Sequence, residues 1–149
     1  MTEESDFDRL YRTCRDPMIK LSRLLTGSTG AAEEIVQEAL LRIYQRGQSI
    51  ENPEAYLRTT VTNLSKSHLR RLRLERSASQ RRDAPVLNPE FDETWGAICR
   101  LPFRQRSVIV LRFYEDSSIE EIARVLGCRI GTVKSRLNRA LEKLRNELS

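Results

Sequence analysis

The chain has 149 residues, of which 39% are hydrophobic and 32% charged, and its 26 Lys and Arg against 21 Asp and Glu give a formal net charge of +5 at pH 7. This composition is typical of a folded chain and excludes a membrane-spanning protein, because no run of about 18 apolar residues occurs. The first residues are acidic and lack the apolar stretch of a secretory signal, so we expect a cytoplasmic protein without membrane contact of its own.

The front of the chain predicts two helices separated by a turn. The first runs from Asp6 to Leu25 with apolar residues at helical spacing, and we expect Pro17 to bend or break it. The second runs from Ala31 to Arg46. Glu33 and Glu34 are expected in its first turn, where negative charge interacts favourably with the helix dipole.

A third helix, a linker and a second group of helices follow. Asn52 is expected to cap the third helix, which runs to about Arg76. Residues 77–90 contain two prolines and no helical apolar period, which predicts a flexible linker. Further helices are expected near residues 91–100, 102–114, 118–126 and 130–148. The predicted fold class is therefore all-α, with two small helical domains, 1–76 and 91–149, joined by the linker.

The second helix carries an acidic face beside its apolar one. Its apolar residues are Val36, Ala39, Leu40 and Ile43. Its neighbouring face consists of Glu34, Gln37, Glu38 and Leu41. Such a face suits a basic protein partner, and simple solvation is the alternative.

The third helix is apolar on one side and basic on the other. Leu57 and Val61 are expected to pack inward. The residues expected to face outward are Arg58, Thr62, Asn63, Lys66, Arg70 and Arg71.

Positive charge is concentrated in two separate clusters. Lys66 to Arg82 holds seven basic residues and one acidic residue, and Arg129 to Arg145 holds six and one. Because each neutralised phosphate releases counterions, two separated clusters suit two contacts with a nucleic acid. Two solvated helix faces are the alternative.

Residues 118–133 form the most specific stretch of the sequence. Ser118 and Glu121 match a capping box at the start of a short amphipathic helix. Gly127 can turn the chain with a positive φ. Val133 then begins the apolar face of the next helix, and this spacing is that of a helix-turn-helix, whose second helix lies in the major groove of DNA.

The face of the last helix that points away from this core is basic and polar. Arg suits guanine edges, Asn suits adenine, and Lys, Ser and Thr suit phosphates. A solvated basic face of a helical bundle is the alternative. The candidate DNA-binding residues are Arg129, Thr132, Lys134, Ser135, Arg136, Asn138 and Arg139.

The sequence contains few of the residues that a catalytic site or a metal site requires. Cys14, Cys99 and Cys128 form no CxxC pair, and His68 is the single histidine, so the four clustered ligands of a structural zinc site are missing. The sequence has no Gly-rich nucleotide loop and no Ser or Cys nucleophile with a plausible histidine partner. We therefore expect no cofactor, no metal and no enzymatic activity.

The two halves, in this order, resemble bacterial sigma factors of the extracytoplasmic-function (ECF, group 4) branch of the sigma-70 family, which keep only regions 2 and 4. Residues 33–40 (Glu-Glu-Ile-Val-Gln-Glu-Ala-Leu) resemble regions 2.1–2.2, and residues 55–71 resemble regions 2.3–2.4. Residues 101–108 together with 121–137 resemble region 4. Residues 114–117 (Tyr-Glu-Asp-Ser) are similar to actinobacterial branches of the family.

The resemblance implies three sets of contacts. Core RNA polymerase would bind the acidic face of Glu34, Gln37, Glu38 and Leu41. The last helix would read the −35 element of promoter DNA as a duplex. The loop from Arg46 to Pro53 and the third helix would read the −10 element as a separated strand, through Tyr56, Arg58, Asn63, Lys66, Arg70 and Arg71. An anti-sigma factor is a further expected partner.

Three positions depart from many members of the family. Tyr56 stands where many have Trp, Ser67 where many have Asp or Asn, and Arg129 where many have Ser. The alternative function is a transcription regulator that binds duplex DNA and uses its front half for dimerisation or sensing. That alternative leaves the acidic face and the basic third helix without a role.

Overall fold

The computed structural model describes residues 4–79 and 93–148, and every helix and turn within these ranges agrees with the predicted all-α fold. Short connections join α1 to α2, α2 to α3, and the helices from α4 to α7, and the one between α2 and α3 holds a 3₁₀ turn at Gly47–Ser49. The helices are α1 Asp6–Thr26, α2 Thr29–Arg46, α3 Pro53–Ser79, α4 Glu93–Arg100, α5 Phe103–Phe113, α6 Ile119–Leu126 and α7 Ile130–Leu148. None of the described helices is both long and apolar enough to cross a bilayer.

Helix α1 continues through Pro17, so of the expected bend or break at this residue the break is wrong, and the bend stays a prediction. Proline removes one backbone donor from the helix interior, which ordinarily costs about 3 kcal/mol. Pro17 is exposed, whereas Leu10, Met18 and Leu21 are buried on either side of it. Burial of this apolar face keeps the two halves of α1 in one helix.

Helix α2 begins two residues before its predicted start. The Ser28 Oγ accepts a hydrogen bond from the Ala31 N–H at 3.2 Å and caps the helix. Glu33 and Glu34 therefore lie beyond the first turn, and their predicted place within it is wrong.

Helix α3 has the predicted cap at its start and a longer body than predicted. The Asn52 Oδ1 accepts from the Ala55 N–H at 3.2 Å. The helix extends to Ser79, three residues beyond the expected end at Arg76. The rest of the predicted linker, residues 80–90, lies outside the described residues.

The first three helices pack against one another as a bundle. Its most completely buried side chains come from all three helices: Leu21, Leu25, Val36, Leu57 and Val61. Between α1 and α3, the Ser22 and Ser65 hydroxyls are buried and lie 2.9 Å apart in a mutual hydrogen bond. Each buried hydroxyl thus has a partner, as burial requires.

The last four helices form a second group around α7, which contacts α4, α5 and α6. Val108, Leu111, Ile122 and Val133 are fully buried at its centre. Trp95, the single tryptophan of the chain, is 4% exposed on α4. Its fluorescence can therefore report on unfolding of this group.

The two groups meet along a surface that we call the seam, where α5 packs on α1 and α6 packs on α3. At its centre the Arg106 guanidinium donates from Nη1 to the Leu25 carbonyl of α1 at 2.7 Å. Its Nη2 donates to the Cys99 and Leu101 carbonyls, the latter at 3.1 Å. Buried apolar residues of both groups join into one cluster across the seam.

We expect Arg106→Met to lower the free energy of unfolding by about 2 kcal/mol, because it removes charge-assisted hydrogen bonds and leaves part-buried carbonyls without a donor. Urea unfolding followed by Trp95 fluorescence measures the change. Arg104→Met is the matched control, since Arg104 is exposed two residues away on the same helix. Equal unfolding midpoints for both variants would contradict the role given to Arg106.

Candidate nucleic-acid and protein interfaces

Local hydrogen bonds fix the predicted helix-turn-helix. The Ser118 Oγ accepts from the Glu121 N–H at 3.1 Å, and the Ser118 N–H donates to Glu121 Oε1 at 3.4 Å, so the capping box is present as predicted. These hydrogen bonds lower the pKa of the Glu121 carboxyl. Gly127 has a φ of 65° and its N–H donates to the Ala123 carbonyl, which ends α6 and turns the chain toward α7.

Helix α7 buries one side and presents the other to solvent. Val133 and Ala140 are buried, and Leu137, Leu141 and Leu144 pack partly buried on the same core. Among the candidate DNA-binding residues, Thr132 and Arg136 are half-buried. The exposed ones are Arg129, Lys134, Ser135, Asn138 and Arg139. The structure therefore brings the predicted set together around the first half of one helix.

The cations of this set have no acidic neighbour in ion-pair contact within the described ranges. Arg136 points back toward the turn, where its Nη1 lies 4.0 Å from the Cys128 Sγ. Arg129 holds the position before α7, and its carbonyl accepts from the Val133 N–H at 3.1 Å. We call Arg129, Lys134, Arg136 and Arg139 the α7 cations.

The acidic face of α2 is exposed along its whole length, at Glu34, Gln37, Glu38 and Leu41. One ion pair lies within it, from Arg42 Nη2 to Glu38 Oε1 at 2.9 Å. Leu41 is 53% exposed, which is a large apolar surface for a side chain surrounded by polar groups.

Aromatic side chains that the sequence analysis missed continue this face. Tyr44 lies one turn beyond Leu41 and is 66% exposed. Its ring contacts Phe7 of α1 at a centroid distance of 5.1 Å, and Phe7 lies 6.3 Å from Tyr11. The spacing of Gln37, Leu41 and Tyr44 at i, i+4 and i+7 is the signal that could have revealed the extension.

The predicted −10 residues divide between two sides of α3. Tyr56, Asn63, Lys66 and Arg70 follow helical spacing along one stripe, and Arg71 is adjacent to it. Tyr56 is half-buried, and the other four are exposed. These residues share a surface that reaches from the start of α3 into its projecting second half.

Arg58 lies on the other side of α3, within the seam. It is half-buried, and the carboxylates of Glu115 and Glu121 are close enough to interact with it electrostatically. Burial raises the pKa of the Glu115 carboxyl, and the charges of Arg58 and Lys20 partly offset that rise. In this structure Arg58 therefore interacts electrostatically with carboxylates of the second domain.

Thr62 is also on the seam side, and its predicted outward position is wrong. It is 1% exposed, and its Oγ1 donates to the Arg58 carbonyl at 2.8 Å. The cause is the packing of other helices on α3: Ser65, one turn further along, pairs with Ser22 of α1, and α6 also contacts α3.

The remaining titratable groups lie apart from these surfaces or at their margins. Cys14, Cys99 and Cys128 are free and half-buried, and burial raises the pKa of the Cys99 thiol. Burial and the nearby Arg71 lower the pKa of His68. In the part of the chain that the structure describes, no group of three or more His, Cys, Asp or Glu side chains could hold a metal ion.

Ser118→Ala should lower the free energy of unfolding by about 1 kcal/mol, because both hydrogen bonds of the capping box depend on this serine. Thermal or urea unfolding provides the measurement. Ser67→Ala is the control, since Ser67 is exposed in the interior of α3 and alanine is a good helix former there. If Ser118→Ala lowered the free energy of unfolding no more than Ser67→Ala does, the capping box would contribute nothing to stability.

Comparison with known proteins finds a matching family model for each half of the chain. A family model described as sigma-70 region 2 matches residues 10–75, and one described as sigma-70, region 4 matches residues 92–144. The RNA polymerase sigma-E factor of Streptomyces coelicolor is 35% identical over 157 residues, covering 99% of this chain and 89% of the relative. The ECF RNA polymerase sigma factor EcfG of Rhodopseudomonas palustris is 35% identical over 131 residues, covering 80% of this chain and 72% of the relative.

Among solved structures, a similar chain is the sigma factor RpoE of Bartonella quintana, in complex with the anti-sigma factor NepR. The TM-score is 0.77 at 25% sequence identity, and the match covers 96% of both chains. The two matched regions of the present chain leave residues 76–91 between them, where the linker was predicted.

Proposed function

This chain belongs to the ECF group of the sigma-70 family of RNA polymerase sigma factors, and from that premise we propose how its surfaces are divided between polymerase and promoter. The resemblance stated from the sequence is thereby confirmed. Sigma factors act in transcription initiation, as factors that work with the polymerase. The finer assignments below are argued from the exposed surfaces described above.

Helix α7 reads the −35 element as duplex DNA. The observation that carries this assignment is the group of α7 cations, three of them exposed and Arg136 half-buried, without acidic ion-pair partners in the described ranges. Unpaired cations release counterions from DNA, and Arg136, Asn138 and Arg139 are residue types that can read base edges in the major groove. The half-buried Arg136 lies beside the turn, with its Nη1 4.0 Å from the Cys128 Sγ.

The stripe on α3 reads the −10 element as a separated strand. Asn63, Lys66, Arg70 and Arg71 supply exposed polar and cationic groups for the backbone, and Tyr56 supplies a ring for an unstacked base. Arg58 reaches DNA only when the seam is open, since Glu115 and Glu121 face it in the present arrangement.

The acidic face of α2 binds core RNA polymerase. Exposed carboxylates suit a basic surface and raise the rate of encounter, and the apolar Leu41 at the end of the face adds contact area that excludes water. An anti-sigma factor is a second protein partner, by similarity to RpoE of Bartonella quintana, whose structure was solved with its anti-sigma factor NepR.

Run-off transcription with purified core polymerase on a promoter library tests the proposal as a whole. We expect transcripts only when the chain is added, from promoters that share a −35 and a −10 sequence. Absence of both co-purification with core polymerase and transcripts would leave a duplex-binding regulator as the better description.

Glu34→Lys together with Glu38→Lys should weaken binding to core polymerase at least tenfold, because the changes place positive charge against a basic partner. Surface plasmon resonance with immobilised core enzyme measures the association rate and its dependence on salt. Glu33→Lys is the matched control, because Glu33 is exposed on the same helix outside the proposed face. Binding of the double variant to a duplex −35 probe should be unchanged. An equal effect of the control would exclude a specific face.

Arg129→Ser should alter affinity for duplex −35 DNA and stabilise the fold. Serine at the position before α7 can cap the helix, which contributes about 1 kcal/mol, whereas loss of the guanidinium removes one charge near the groove. Fluorescence anisotropy at several salt concentrations should show a slope of log K smaller by about 0.9. Arg104→Ser serves as the control for net charge. Equal binding before and after the Arg129 change would refute the contact.

A further inference from the structure

The turn between α5 and α6 carries a carboxylate onto the first domain. Glu115 of this turn is half-buried, and its charge interacts with Arg58 of α3 and Lys20 of α1. Glu121 of α6 also interacts with Arg58. Opposite charges from the two domains therefore meet across the seam. We call Glu115, Arg58 and Lys20 the latch.

The turn that presents Glu115 is fixed by hydrogen bonds within the second domain. The Glu115 N–H donates to the Val110 carbonyl at 3.2 Å, and the Ser117 N–H donates to the Leu111 carbonyl at 2.9 Å. Between them Asp116 adopts a left-handed conformation with a φ of 52°. Because these hydrogen bonds come from α5, we expect Glu115 to keep its place in the turn when the two domains separate.

Packing beneath the latch is incomplete. A cleft of about 390 Å³ lies between α1 and the turn. Pro17, Leu21 and Leu24 of α1 line it, and Tyr114 and Glu115 line it from the second domain. A cleft of this size lacks the dispersion contacts that a close-packed interface would make. This end of the seam is therefore held by charge more than by packing.

The closed seam also removes hydration from two guanidinium groups. The Nε atoms of Arg58 and Arg106 are buried and have no hydrogen-bond partner within the described residues. Burial lowers the pKa of Arg106, which shows that its charge is disfavoured there. A buried donor without an acceptor opposes the closed state, and water reaches it when the domains separate. Attraction and desolvation therefore oppose each other, which suits an interface that opens and closes.

Closure of the seam leaves some of the proposed binding surfaces free and occupies part of another. Glu34 and Glu38 on α2 and Arg139 on α7 are exposed in the closed chain. Arg58, by contrast, is proposed to bind promoter DNA and interacts with carboxylates here. A phosphate and a carboxylate bind a guanidinium in the same way, so DNA and Glu115 compete for Arg58. Closure and DNA binding through Arg58 therefore exclude each other.

We propose that the latch is autoinhibitory: Glu115 holds Arg58 and Lys20, keeps the free chain closed, and must release both before the chain binds core polymerase and promoter DNA together. The inference rests on the proposed assignment of Arg58 to the DNA-binding surface. It gives Glu115 a function as an intramolecular competitor of promoter DNA, and it makes the turn between α5 and α6 a regulatory element.

Single-molecule energy transfer in the full chain measures the opening. Dyes are attached through azido amino acids at the exposed positions Glu33 of α2 and Asn146 of α7, so that the three cysteines stay unchanged. The free wild-type chain should be mainly in a high-transfer state, and core polymerase should convert it to a low-transfer state. High salt should also raise the open fraction, because it screens the charges of the latch.

Glu115→Gln should raise the ratio of open to closed chains about fivefold, as expected for a pair of partly exposed charges. It should bind core polymerase about fivefold more tightly, because a larger fraction of the chains is already open. Arg58→Gln should open the seam similarly. The double variant should open it by less than the product of the two single effects, because both changes remove the same interaction.

Asp116→Asn is the matched control, since Asp116 is exposed beside Glu115 and asparagine adopts a positive φ readily. It removes the same charge and should leave the open fraction as in the wild type. Glu115→Gln should bind a duplex −35 probe as the wild type does, because the α7 cations lie outside the latch.

Three results would overturn the proposal. One is a free wild-type chain already in the low-transfer state, another is an equal open fraction for Glu115→Gln and Asp116→Asn, and the third is binding to core polymerase that leaves energy transfer high. If the chain neither binds core polymerase nor supports transcription, the proposed function fails. Energy transfer in the free chain then still decides whether Glu115 closes the seam.

Discussion

The Arg106 guanidinium joins two groups of helices that are each small for an independent core. Its cation lies against the last turn of α1, where the helix dipole places partial negative charge on the Leu25 carbonyl. Burial lowers the pKa of Arg106, yet the carbonyl bonds compensate the charge well enough for it to lie between the domains. The same seam brings α6 onto α3, so the packing of the two groups covers part of the α3 surface.

The two surfaces proposed to bind DNA and the surface proposed to bind polymerase lie on different helices. Helix α2 turns its carboxylates away from the seam, and α7 turns its cations away from the core of the second group. The carboxylates of the α2 face and the α7 cations therefore lie on separate helices and form no ion pair with one another within the described residues. Exposed ion pairs such as that of Arg42 with Glu38 contribute little to stability, so these surfaces remain available to partners.

Local chemistry made much of this structure predictable from the sequence. The Asn52 cap, the Ser118–Glu121 box and the turn at Gly127 each depend on residues a few positions apart, and the structure contains all three. Contacts with residues distant in sequence determine that the helix continues through Pro17 and that Thr62 and Arg58 are buried or half-buried. Helical periodicity does not reveal such contacts. The hydrogen bond from Arg46 Nη1 to the Tyr56 hydroxyl joins two helices across a loop, so helical spacing alone could not predict it.

Whether the seam is open or closed also affects how tightly the chain binds each partner. Elements named for positions −35 and −10 are separated by about 25 base pairs, or about 85 Å of B-form DNA. Helices α1 and α5 are in direct contact, so a chain that bound both elements together, as proposed, would have to separate these helices. A partner that binds only when the seam is open has its affinity reduced by the fraction of molecules in which the seam is open. A partner that binds the closed seam keeps its full affinity. Weakening the Arg106 contact would therefore favour the partner that binds the open seam over the one that binds the closed seam. The residues that contact either partner would be unchanged.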